Sequence, residues 1–196
     1  MRIVICTQHL CVSALLALAL VVCVMPVRAA QSGQRDHLTP AEADLVRDAQ
    51  AIDKRTDVFI KAAERRLLLL TDPQAAQTLQ AKQAQKKDKD KDKELWGELP
   101  TGTHAQLLND LAGIFDEAIT NLDDVAARDA KSSMLPGALR KLAAAATRFQ
   151  TQLRAMRDSA NDAEREALDN ALNELQEIID AAQKLPAETE TKKPKP

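Results

Sequence analysis

Asp88, Asp90 and Asp92 alternate with lysines in KKDKDKDKE, a spacing that matches the opening of a calcium-binding EF-hand loop. That loop needs Gly at its sixth position for a sharp turn and a bidentate Glu at its twelfth. Lys93 and Leu99 stand there instead, and the interleaved lysines repel a cation. His37 and His104 are the histidines outside the N-terminal apolar stretch, and neither has a second histidine three or four residues away. The Glu-x-x-His pairs of di-iron helical proteins are absent, as is the Cys-x-x-Cys-His of covalent haem. Neither Met134 nor Met156 offers His104 a good mid-helix haem partner. No metal and no cofactor are expected.

Nucleophilic chemistry is equally short of parts. Cys6, Cys11 and Cys23 all lie near the N-terminus, and beyond it serines occur only at 32, 132, 133 and 159. Gly33, Gly97, Gly102, Gly113 and Gly137 fit no phosphate-cradling or nucleophile-elbow spacing. The acid pairs Asp123-Asp124 and Glu164/Glu166 fall on water-facing helix positions, where paired carboxylates are ordinary surface. The expectation is a protein that is not an enzyme.

Three features remain for binding. Leu67 to Leu70 is a run of four leucines, and one helix face cannot bury all of them. The 73–102 connection covers the remainder, or at least one leucine is exposed. Trp96, the single tryptophan, sits in ELWGELP, where it either pins that loop to the helices or anchors a partner. Leu68, Leu69 and Trp96 are therefore the candidate partner-contact residues. Ala143 to Ala146 offers small side chains on every side, suited to close helix approach.

The elements that must hold these residues follow from composition and pattern. The chain has 196 residues, with only 2% aromatic content and few glycines, and Ala and Leu dominate its apolar share, which favours helix over sheet. Residues 1–29 read as a secretory signal peptide: Arg2, an apolar run from Leu10 to Val24, the helix-breaking Pro26, and Val27-Arg28-Ala29 before a cleavage site after Ala29. The run is too short for a comfortable membrane span, for which about 20 residues are needed. Gln8 and His9 interrupt an anchor, and Leu20-Val21-Val22 is a poor lead-in to an acylated Cys23. Cleavage would remove every cysteine, leaving a core that rests on packing alone. It would also remove two arginines and no acid, leaving 25 basic and 29 acidic residues, a formal charge of −4. That balance predicts no nucleic-acid partner and no membrane insertion after cleavage, while a protein partner or self-association stays open.

Residues 30–38 are short, polar and unpatterned, which predicts flexibility. Thr39-Pro40-Ala41-Glu42 then forms a capping-box start, with a stripe at Leu45, Ala49, Ile52, Thr56, Phe59, Ala63, Leu67 and Leu70 that predicts one helix of about 30 residues. Asp72-Pro73 restarts the chain as a helix over 73–87 with Leu79 as its one large apolar residue, hence mostly solvated. The Lys/Asp-rich run at 86–94 gains from no regular structure and reads as a linker. Thr103 with Gln106 caps a second main helix with a stripe from Leu108 to Val125. Pro136 opens a third, from Leu139 to Met156, and Asn161 with Glu164 caps a fourth, from Leu168 to Leu185. Residues 186–196 are a polar, proline-rich tail expected to be disordered.

The fold expected over 39–185 is all-α: an antiparallel four-helix bundle of heptad-like spacing, carrying an extra solvated helix and a charged linker between its first two main helices. Size, export signal and pattern resemble in kind the small bundle proteins of bacterial envelopes, including haem-binding cytochromes and helical stress chaperones. The likeness is architectural, carries none of their motifs and assigns no function. The expected role is that of an exported, periplasmic or extracellular, non-enzymatic protein acting through protein or envelope contacts. The alternative is a bundle that binds an apolar small ligand in a core where many alanines leave room.

Overall fold

The helix starts are built as their sequences dictate. Thr39 Oγ1 accepts from the Glu42 amide and the Glu42 carboxylate accepts from the Thr39 amide, with Pro40 in the first turn, where no donor is needed. The same reciprocal box joins Thr103 to Gln106 and Asn161 to Glu164. Asp72 caps the helix after Pro73 by accepting from the Ala75 amide at 2.9 Å. In the computed structural model, which describes residues 36–85, 96–129 and 131–186, these starts open α1 (Pro40–Asp48), α3 (Pro73–Gln85), α4 (His104–Arg128) and α6 (Asp162–Gln183). The others are α2 (Ile52–Thr71) and α5 (Leu135–Ala155). These six helices hold 79% of the described residues, among which there is no strand. The expected signal peptide, the Lys/Asp-rich linker at 86–94 and the tail beyond 186 lie outside the described residues.

The single long first helix expected from the stripe is instead two, broken at residues 49–51. The cause is Glu42. In a continuous helix it would stand about 36 Å from Arg66, whereas its Oε1 lies 2.6 Å from an Arg66 guanidinium nitrogen. The chain must turn back for α1 to lie along α2. Arg55 stabilises the break by donating from Nε and Nη2 to the carbonyl of Ala49, an orphan acceptor left by the end of α1. Leu45 and Ala49, expected on the buried stripe, are accordingly only half-buried.

Of the segment 30–38 expected to be flexible, residues 30–35 lie outside the described residues and 36–38 make contacts with the helices. Leu38 is buried, and His37 Nε2 lies 2.7 Å from Glu117 Oε2 on α4. Gly113 allows this approach, since a Cβ there would stand 2.9 Å from the His37 ring.

One apolar core joins α2, α4, α5 and α6. The stripes read from the sequence are its faces, from Ile52 to Leu70, Leu108 to Leu122, Leu142 to Leu153 and Leu168 to Ile178, with burial fading at Val125, Leu139, Ala182 and Leu185. Phe115 and Phe149 meet at its centre, edge to face, with ring centroids 5.2 Å apart. Ala62, Ala63, Ala118, Ala145, Ala146 and Ala171 are buried in this core as well.

Surface pairs give the helix directions. Asp57 meets Lys141 and Glu64 meets Arg148, so α2 and α5 run the same way. Gln150 with Gln176 and Arg157 with Asp169 set α5 against α6. Along its length α4 meets α6 and α2 more than it meets α5, although a short connection joins α4 to α5. The large apolar residue of α3, Leu79, is 47% exposed, while Ala76 is fully buried, in keeping with a mostly solvated helix.

Glu174, half-buried on α6, has its carboxyl raised above the ordinary value by burial first, then by Asp116 and Glu177. A raised native value means that the folded state holds this proton more tightly than the unfolded state. Stability is therefore lost as pH rises from the ordinary carboxylate range through the native value. Because solvent screens the site, Glu174→Gln should raise Tm at pH 7 by only about 1–2 °C and leave it unchanged near pH 3. Thermal melts at the two pH values check this.

Candidate functional site

Where α2 and α5 end and α4 and α6 begin, the helices leave a cleft of about 650 Å³. Leu70, Leu108, Ala160 and Leu168 are its buried floor, with half-buried Met156 beside them. Thr71, His104, Gln152, Ala155 and Ser159 form an exposed rim, and half-buried Glu164 joins it. The space arises because Ala155, Ser159 and Ala160 occupy the turn from α5 to α6 where larger residues would close it.

The helix starts position the polar groups. Glu164 is held by its capping box, with Oε2 accepting from the Asn161 amide at 3.0 Å. Its other oxygen, Oε1, lies 3.4 Å from His104 Nδ1, and the His104 side chain is 51% exposed. Thr71 and Ser159 donate their hydroxyls to backbone carbonyls of Leu67 and Met156. Met156 does share the cleft with His104, whereas Met134 is exposed elsewhere and does not line it. No cluster of three or more His, Cys, Asp or Glu among the described residues could hold a metal ion.

A smaller hollow of about 160 Å³ adjoins the cleft through Thr71 and Gln152, and is lined by Glu64, Leu67, Leu68, Arg148 and Phe149 as well. Leu68, a candidate from the sequence, thus opens onto this groove. In the leucine run Leu67 and Leu70 are buried while Leu68 and Leu69 are half-buried, because successive residues point about 100° apart around the helix. Leu69 packs against the core edge.

Trp96 lies away from the cleft lining. Its half-buried ring packs on the core edge beneath Lys61 Nζ, 4.5 Å from the ring centre, and near Arg65. Arg65 Nη1 donates to the Trp96 carbonyl at 2.7 Å, and its Nη2 donates to the carbonyls of Gly97 and Glu98. Gly97 has φ +59°, and a Cβ there would meet Ala41 of α1 at 2.8 Å. The loop is pinned between α1 and α2, the first of the two roles read from its sequence.

The arginines behind that loop form a buried ionic cluster that sequence reading missed. Glu42 is fully buried and Arg66 is 1% exposed. Arg66 donates to Glu42, to the Ala62 carbonyl and to the His37 carbonyl, while Arg65 Nε lies 3.1 Å from Glu42 Oε1. Arg66 Nε has no hydrogen-bond partner among the described residues. Burial lowers the Arg65 pKa from its ordinary value, with Glu42 opposing the shift and Arg66 adding to it. One signal was present: Arg66 falls on the apolar stripe between Ala63 and Leu70. The cluster ties α1 to α2 and lines neither the cleft nor the smaller hollow.

Comparison with protein-family models, curated proteins and solved structures finds no match to this chain. Among the described residues, no helix is long and apolar enough to cross a membrane.

Proposed function

We propose that the four long helices act as one four-helix bundle, up-down-up-down in chain order, in an exported non-enzymatic protein that binds an apolar small ligand in its end cleft. The cleft carries this reading. Its volume lies within the range of about 300–1,000 Å³ usual for small-ligand sites, and its apolar floor with a few polar rim groups is the usual composition. Export rests on the signal-peptide pattern of residues 1–29, and the absence of enzymatic activity rests on the residue inventory. Partner contact through Leu68, Leu69 and Trp96 has less surface to work with, since all three are half-buried.

Native mass spectrometry of freshly purified protein beginning at Ala30 tests the reading. Mass beyond the polypeptide is expected, and Ala155→Trp, which enlarges an exposed rim residue, should abolish it. Bare polypeptide mass, together with no uptake of an apolar fluorophore, would overturn it.

A further inference from the structure

The charge and dipole pattern around the cleft carries the argument from ligand binding to ligand class. Among its lining residues Glu164 is the one acid, and neither Lys nor Arg is present. Glu164 uses Oε2 for the Asn161 amide and places Oε1 near His104, but a carboxylate offers about four acceptor positions, so it retains capacity for a donor in the cleft. The helix ends add to this. The starts of α4 and α6 face the cleft, and in each the N-cap and N3 amides are engaged by the Thr103–Gln106 and Asn161–Glu164 boxes. The end of α2, which contributes Leu70 and Thr71, has no basic residue in its last turn to offset the negative end of its dipole. Arg148, which lines the adjoining groove, is engaged by Glu64 at 3.2 Å. The rim is therefore rich in acceptors and carries a carboxylate at the edge of an apolar floor.

We infer that the cleft takes a monomeric single-chain amphiphile with a cationic head group, its chain on Leu70, Leu108, Met156 and Leu168 and its head beside Glu164. This rests on the cleft being a ligand site at all, and it adds the sign of the head group. An anionic head such as a fatty-acid carboxylate would meet Glu164 with no Lys or Arg in the lining to offset it and only His104 beside it, so the site discriminates by repulsion as well as attraction.

Isothermal titration of the protein from Ala30 onward with three ten-carbon amphiphiles, each below its micelle concentration, tests both levels. The probes are decyltrimethylammonium, decyl maltoside and decanoate. The cation should bind about fivefold more tightly than decanoate, the scale of one partly screened charge pair. Glu164→Gln should bring the two affinities together without unfolding α6, because Gln serves in a capping box as well as Glu does and already does so at Gln106. Ala155→Trp should abolish binding of all three probes, while Ala144→Trp, on the exposed surface of α5 away from the cleft, should not. Equal or tighter binding of decanoate, or a preference that survives Glu164→Gln, would overturn the cationic assignment and leave the cleft reading standing. No binding by any probe, or binding insensitive to Ala155→Trp, would overturn both.

Discussion

Glu42→Gln is expected to cost about 3–5 kcal/mol of folding stability, the penalty for removing one member of a buried ion pair and leaving the other. The substitution is chosen because Gln can still accept from the Thr39 amide and complete the cap, so charge alone is removed. Arg66, 1% exposed, would keep its bonds to the carbonyls of Ala62 and His37 but lose its carboxylate, and Arg65 would lose the same oxygen at 3.1 Å. Arg66→Met should cost less, because Glu42 then retains Arg65 and the apolar stripe becomes continuous. The double variant should recover part of the loss, giving a coupling energy that a double-mutant cycle in urea would measure. Trp96 is the only tryptophan and its carbonyl accepts from Arg65, so its emission reports locally on the same event. A cost below about 1 kcal/mol, within the range of solvent-exposed pairs, would mean that water reaches the cluster and that the fold-back of α1 does not depend on it.

Phe149→Ala should cost a similar amount, about 3–5 kcal/mol, for a different reason. The ring is 1% exposed and stands edge-on to Phe115 at the centre of the core. The loss combines the transfer energy of the ring, the cavity left behind and the edge-to-face contact, itself worth about 0.5–1.5 kcal/mol. Only three phenylalanines are present in the chain, so the leucine and alanine neighbours have little bulk with which to fill the gap. Urea unfolding should show a lower midpoint at an unchanged slope. A changed slope would mean that the variant no longer unfolds in one step, and a loss under about 1 kcal/mol would mean that the helices close over the site.

The helix starts were legible because capping is local chemistry. Thr39, Thr103 and Asn161 lie three residues before Glu42, Gln106 and Glu164, and their hydrogen bonds close within one turn. The stripes were legible for the same reason, since the period of 3.6 residues places Phe115, Ala118 and Leu122 on one face whatever that face meets. The break at residues 49–51 was not legible. The stripe passes through it without interruption, and the pairing that accompanies the break joins residues 24 positions apart. The cleft was hidden in a further way: His104 and Met156 had been weighed only as a haem pair and Glu164 only as a cap and a surface acid, and nothing local says that four helix ends converge.

The sequence by itself determined an all-helical chain, the residues at which most of its helices begin and the faces they bury, because these depend on neighbours within a turn or two. It also showed that Leu68 and Leu69 could not be buried as fully as Leu67 and Leu70. Only the tertiary structure decided that α1 folds back on α2, that α2 runs with α5, and that Trp96 is held under Lys61 and Arg65. It also decided that a cleft lies at the end of the helices. There the chain turns through Ser159 and Ala160, and small side chains cannot close the gap between diverging ends. Along the middle of the helices other alanines, Ala62, Ala63, Ala118, Ala145, Ala146 and Ala171, are buried in the apolar core.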